Sequence, residues 1–225
     1  MEIREIRDKL FNKLIGTGWE NDLRFFVKSS EFDDILLALL SELEKGFRFT
    51  PGVNDIFKPF ELCHLDKLKV VMVWPEAWLN PTLNHGLAIS NNAVDKYPLP
   101  FYRFKTELAS QVPNHSILEA DLTPWAKQGV LLLNESITAR ITTSSKHFEI
   151  WQAFIGNVFD ILNRRDNLIF VFIGESYWSE ELDERHFKIE LPAIPDGFKK
   201  VWDSQNLFLE INKKLVEKNL SEIVW

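Results

Sequence analysis

The sequence predicts an α/β fold built on a central, mainly parallel sheet. Three short apolar runs predict its strands: Lys69-Val-Val-Met-Val-Trp74, Gly129-Val-Leu-Leu-Leu-Asn134 and Leu168-Ile-Phe-Val-Phe-Ile-Gly174. Continuous apolar strands of this kind are usually buried on both faces of a parallel sheet. Helical patterns lie between them, and strands alternating with helices argue for parallel crossovers. At 225 residues, a single domain over 1–225 is the default expectation.

Taken in order, the first strong helix covers 31–45, where Phe32, Ile35, Leu36, Leu39, Leu40 and Leu43 share one face. Gly46 is its natural stop. After the strand at 69–74 comes a helix over about 100–111, then the strand at 129–134. A helix over 147–163 carries Phe148, Trp151, Ile155, Val158 and Leu162 on one face. The strand at 168–174 follows. A last helix starts near Ser204, a candidate N-cap, and reaches about Lys218. In such sheets function collects in loops at the carboxyl ends of the strands. Here those loops are expected to begin at Trp74, Asn134, Gly174 and Glu190.

Composition narrows the function classes. Lys plus Arg give 26 and Asp plus Glu give 33, a net charge of −7. Domains that coat nucleic acid through bulk charge are usually basic, though a local groove on an acidic protein is allowed. A hydrophobic fraction of 45% supports a real core. The single Cys63 excludes an internal disulfide and any multi-cysteine metal site, and a reducing compartment fits it best. The five His residues show no ligand spacing, so neither metal nor cofactor is expected. No apolar run approaches the roughly 20 residues that span a bilayer. Met1 to Leu10 alternates charge with Ile and Leu, unlike a signal or transit peptide. A cytoplasmic or nucleoid-associated location is therefore expected.

The four expected loops carry a pattern that resembles family 1 uracil-DNA glycosylases, from about Trp19 to the C-terminus. Trp125-Ala-Lys-Gln-Gly-Val-Leu-Leu-Leu-Asn134 is similar to the family's W-A-x-Q-G-V-L-L-L-N. Glu135-Ser-Ile-Thr-Ala-Arg140 follows where the family has a T-x-L-T-V-R type sequence. Thr50-Pro-Gly-Val-Asn-Asp-Ile-Phe57 resembles P-P-x-x-x-x-F-x-A-F, and His85-Gly-Leu-Ala-Ile-Ser90 resembles H-G-L-A-F-S. The resemblance implies a three-layer α/β/α fold around a mainly parallel four-stranded sheet. It also implies base excision from DNA as the ancestral activity.

The same resemblance places the departures. The family's water-activating loop G-Q-D-P-Y-H corresponds to Trp74-Pro-Glu-Ala-Trp-Leu79. Glu76 thus stands for the catalytic Asp and Trp78 for the Tyr that closes the pocket. The family's H-P-S-P-L corresponds to Leu191-Pro-Ala-Ile-Pro195. Leu191 therefore stands for the His that hydrogen-bonds the uracil O2, Ala193 for a phosphate-binding Ser, and Pro195 for the intercalating Leu. Ile89 stands for the Phe that stacks on uracil. The implied base pocket is Trp74, Trp78, Ile89, Asn134 and Leu191. The implied DNA-backbone contacts are His85, Ser144, Ser145, Lys146 and Ser176. Pro100 replaces a phosphate-pinching Ser, and Glu175 adds a negative charge beside Ser176.

These substitutions act on the transition state. In the family, the Asp offsets an oxocarbenium-like sugar and the His supports the departing uracil anion. Leu191 has no donor. Losing one such donor costs about 2.7–4 kcal/mol in barrier. Glu76 keeps the charge with one extra methylene, and a misplacement of roughly 1 Å can cost about 100-fold. Asn134 alone retains the family's base-reading amide.

Each residue also has a plainer reading. Asn134 caps a turn after a strand, His85 packs in its turn, Trp78 fills the old pocket, Glu76 is a solvated carboxylate, and the 144–147 stretch caps a helix.

Three functions follow. The first is a catalytically degenerate homologue that binds DNA, single- or double-stranded and with or without uracil, or a protein through the inherited face. The second is an active glycosylase of altered base specificity, with Glu76 activating water and Asn134 reading a flipped base. The third is an interaction subunit or decoy whose aromatic surplus, with Tyr177-Trp178 and Val224-Trp225 as anchors, forms an interface.

Overall fold

A computed structural model describes residues 2–93, 97–113, 120–141, 147–194 and 202–225. Four parallel strands form the central sheet: β2 (Val70–Glu76), β3 (Val130–Ser136), β5 (Ile169–Ile173) and β6 (Phe187–Leu191), in the order β3-β2-β5-β6. A two-residue antiparallel pair, β1 (Phe49–Thr50) with β4 (Ala139–Arg140), stands apart from it. The helices are α1 (Ile3–Asn12), α2 (Trp19–Val27), α3 (Ser30–Glu44), α4 (Lys58–Leu62), α5 (Leu99–Gln111), α6 (Thr123–Lys127), α7 (Phe148–Asn163) and α8 (Leu207–Glu217).

Strand alternation divides the core in two. Val71, Val73, Leu131, Leu133, Phe170 and Phe172 face a layer from α1, α2, α3, α4 and α7. Val70, Met72, Val130, Leu132, Val171 and Ile173 face a layer from α5, α6 and α8. The expected three-layer α/β/α fold is the one found. All five residues of β5 are buried, as its continuous apolar character requires, and all seven of β3 are buried although its last three, Asn134, Glu135 and Ser136, are polar.

The local signals act as expected at α3. Ser29 Oγ accepts from the Phe32 N–H at 3.4 Å, and Gly46 leaves the helix at φ +85°. Other boundaries differ. Helix α8 starts at Leu207 rather than at Ser204, because Ser204 is fully buried and its Oγ donates to Glu107 at 2.8 Å. Strands β2 and β3 each run two residues past their expected ends, since the ladder continues to the pair Glu76 and Ser136. Asn134 therefore sits inside a strand and caps no turn. Strand β6 reaches Leu191, so its loop opens one residue later than expected.

The aromatic surplus is mostly internal. Trp19, Trp125, Trp151, Trp202 and Trp225 are all fully buried. Trp225 meets Trp125 edge-on at 4.7 Å, and Trp178 stacks on Phe159 at 5.2 Å. Of the two tryptophans named as interface anchors, Trp225 is thus a core residue and Trp178 is half-buried against the core, while Tyr177 and Val224 beside them are exposed. Among the described residues, no helix is long and apolar enough to cross a membrane.

Candidate functional site

The carboxyl ends of the four strands surround two adjoining hollows. The larger has a volume of about 1180 Å³ and is walled by Glu76, Glu135, Glu175, Ser176, Glu180 and Glu190. The smaller, about 520 Å³, is walled by Trp74, Trp78, Leu79, Pro100, Ile173 and Ile194. Pro75, Glu76 and Ala193 border both. The neighbouring Gly174 holds φ +94°, and a Cβ there would lie 3.2 Å from Pro75 Cγ, so both the left-handed backbone and the tight approach favour glycine.

The sheet register brings three of the expected pocket residues, Trp74, Asn134 and Leu191, to one face. Trp74 on β2 lies opposite Asn134 on β3, and Ile173 on β5 lies opposite Leu191 on β6. Their accessibility separates them. Asn134 is 3% exposed, its Oδ1 has no hydrogen-bond partner, and it borders neither hollow. Ile89 and Leu191 are also buried. Trp74 and Trp78 are half-buried and present their side chains to the smaller hollow.

Trp78 is fixed in place. Its indole N–H donates to the carbonyls of Ser90 at 2.9 Å and Ile89 at 3.2 Å. Ile89 sits at φ +66°, an outlying conformation for a β-branched residue.

Of the residues expected on the DNA backbone, His85 and Ser176 fall among the described residues. His85 points inward: it is 5% exposed, with Nε2 2.7 Å from Ser90 Oγ and 3.9 Å from Asp121. Burial lowers its pKa, with Asp121 opposing, so it packs as a neutral ring. Ser90 Oγ also accepts the Leu122 N–H at 2.8 Å, which ties this turn to the start of α6. Ser176 does border the larger hollow, but its hydroxyl donates to Glu135. Ser144, Ser145 and Lys146 lie outside the described residues, as does Pro195.

Glu135 is the site residue that sequence reasoning missed. It is 3% exposed, and burial pushes its carboxyl up to about 7, partly offset by the Ser176 hydrogen bond. The signal was on the page: an acidic residue follows Asn134 where the family pattern has Thr. Position alone did not show that it would be buried.

The charge of the larger hollow is one-sided. Among the described residues, five glutamates wall it and no Lys or Arg does, although Lys188 pairs with Glu190 at 3.3 Å from outside. Among the described residues, no group of three or more His, Cys, Asp or Glu side chains is placed to hold a metal ion. Cys63 is buried, and burial raises its thiol to about 12, which removes it from nucleophilic chemistry near neutral pH.

No family model matches the chain. Curated relatives do. A uracil-DNA glycosylase of Mycoplasmopsis pulmonis is 33% identical over 202 residues, covering 86% of this chain and 90% of the relative. One from Francisella tularensis is 30% identical over 218 residues, covering 92% and 97%. Among solved structures, mimivirus uracil-DNA glycosylase superposes with a TM-score of 0.83 at 21% identity, covering 96% of this chain and 88% of that one. A variant of the mimivirus protein in complex with UGI gives the same TM-score at 23% identity. At these identities the superpositions speak to the fold.

Proposed function

The chain belongs to the uracil-DNA glycosylases, and from that premise we propose that it has lost uracil excision and keeps the inherited face for binding. One observation carries this reading. Asn134, the amide that the family pattern assigns to reading uracil, is buried with its Oδ1 unpaired and borders neither hollow. A buried reader without access contributes nothing to base recognition.

The surrounding residues point the same way. Position 74, glycine in the family pattern, carries an indole beside Asn134 in the sheet. Leu191 offers no donor to a departing base and is itself buried. Ile89 gives no aromatic face for stacking, an interaction worth roughly 1–3 kcal/mol per base. The glutamate-walled hollow repels phosphate where the resemblance expects DNA to run.

A second reading has its own observation. Glu76 ends β2 and borders both hollows, which supports a carboxylate acting on water toward a ligand in either. That favours a glycosylase of altered base specificity, with Glu76 in the water-activating role.

An excision assay separates the two. The purified protein is incubated with single- and double-stranded DNA carrying uracil, then with a panel of modified bases, and abasic sites are revealed by alkaline cleavage. No cleavage on any substrate is the expected result. Cleavage lost in Glu76→Ala would establish the second reading instead.

A further inference from the structure

We propose that the two adjoining hollows form a docking site for a basic polypeptide segment, with an arginine side chain entering the Trp74–Trp78 hollow beside Glu76. This rests on the reading that the face no longer serves uracil excision, and it names the kind of partner that face would take.

The smaller hollow supplies the recognition element. Two indoles and one carboxylate border the same 520 Å³ space. A guanidinium is planar, stays charged and stacks on aromatic faces, and a carboxylate accepts from its fork of N–H donors. Trp78 is anchored through its N–H to two backbone carbonyls, so its ring is ordered before a ligand arrives.

The larger hollow supplies the charge complement. Glu190 is engaged by Lys188, and Glu135 holds its carboxyl against Ser176. Glu175 and Glu180 remain as exposed carboxylates on its wall, and Glu76 joins it to the smaller hollow. A segment with one arginine in the indole hollow and neighbouring basic side chains over Glu175 and Glu180 meets both. DNA meets the opposite field, since its phosphates would lie against the same carboxylates.

The test is a titration of the full chain, followed by tryptophan fluorescence and calorimetry. The probe is a short peptide alternating arginine with glycine and serine. Comparators are the same peptide with lysine or with citrulline, and a mixed-sequence duplex DNA. Saturable binding of the arginine peptide is expected. The lysine form should be weaker, and the citrulline form should be weaker by about tenfold or more. The exposed double reversal Glu175→Lys with Glu180→Lys should also weaken binding by about tenfold and remove most of its salt dependence. Trp74→Ala should weaken it further, with a thermal melt checking that the fold is retained. Equal affinity for arginine and citrulline peptides, indifference to the glutamate reversals, or tighter binding of DNA would each overturn the proposal. Uracil release by the same preparation would sink the premise instead. Failure of peptide binding without uracil release would sink the docking site alone.

Discussion

Ser176 Oγ donates a hydrogen bond to Glu135 Oε1, joining the loop after β5 to β3 across the end of the intervening β2. The bond passes where the family pattern expects a DNA-facing serine, and it turns that hydroxyl toward the protein's own carboxyl. Ser176 therefore organises the larger hollow from within.

This pair makes stability depend on pH. The Glu135 carboxyl titrates at about 7 in the folded chain against an ordinary value of 4.5. Between those values the folded state holds more protons than the unfolded one, so stability falls as pH rises. The contribution is fully present below about 4.5 and is lost once pH passes about 7. Glu135→Gln should flatten this window and stabilise the protein above it, by on the order of 3 kcal/mol. Urea denaturation on either side of the window measures it, and an unchanged pH profile in the variant would refute the assignment.

Ser176→Ala tests the same bond from the other partner. The hydroxyl favours the ionised carboxylate, so its loss should raise the Glu135 pKa further. The net loss in stability above neutral pH should be about 1.5–3 kcal/mol, the range for a hydrogen bond to a charged group. A carboxyl-carbon NMR titration of Glu135 reads the shift directly.

Asn134→Leu should leave the fold intact and stabilise it by about 1 kcal/mol. The substitution removes a buried acceptor that has no donor and keeps a similar shape. Chemical denaturation gives the sign. A large destabilisation would mean that the amide holds the strand, and the closed-reader interpretation would fall with it.

Restoring Leu191→His alone should not bring back uracil release, because Asn134 stays covered. Trp74→Gly together with Glu76→Asp and Leu191→His returns the glycine, the acid and the donor of the family pattern. That triple variant should bind a uracil-containing oligonucleotide more tightly than the parent chain. Excision by the single variant would show that the pocket was open from the start.

Gly129→Ala should destabilise by about 3 kcal/mol or more. Gly129 sits at φ +99°, and a Cβ there would collide with the Lys67 carbonyl oxygen where the chain enters β3. Thermal melting checks this, and a variant within about 1 kcal/mol of the parent would mean that the approach is looser than the backbone implies.

The architecture was legible because its causes are local and repeated. The apolar runs at 70–73, 130–133 and 169–173 have no polar side to offer water, so they must form buried strands with helices on both faces. The order of motifs then named the family, and the relatives bear that out. The site was legible only as a set of substitutions. Glu76, Trp74 and Leu191 could be read off by position, but what each touches could not. The resemblance put His85 and Ser176 on the DNA backbone, yet one hydrogen-bonds Ser90 inside its own turn and the other serves Glu135.

The sequence by itself determined the fold, the family and the list of altered residues, since these depend on periodicity and on motif order along the chain. Tertiary structure decided which of those residues reach solvent and what charge they meet there. Register set Trp74 beside Asn134, and strand order set Glu135 within reach of Ser176 across β2. Such neighbours lie far apart in sequence, and their energies depend on burial and distance. No local pattern encodes either quantity.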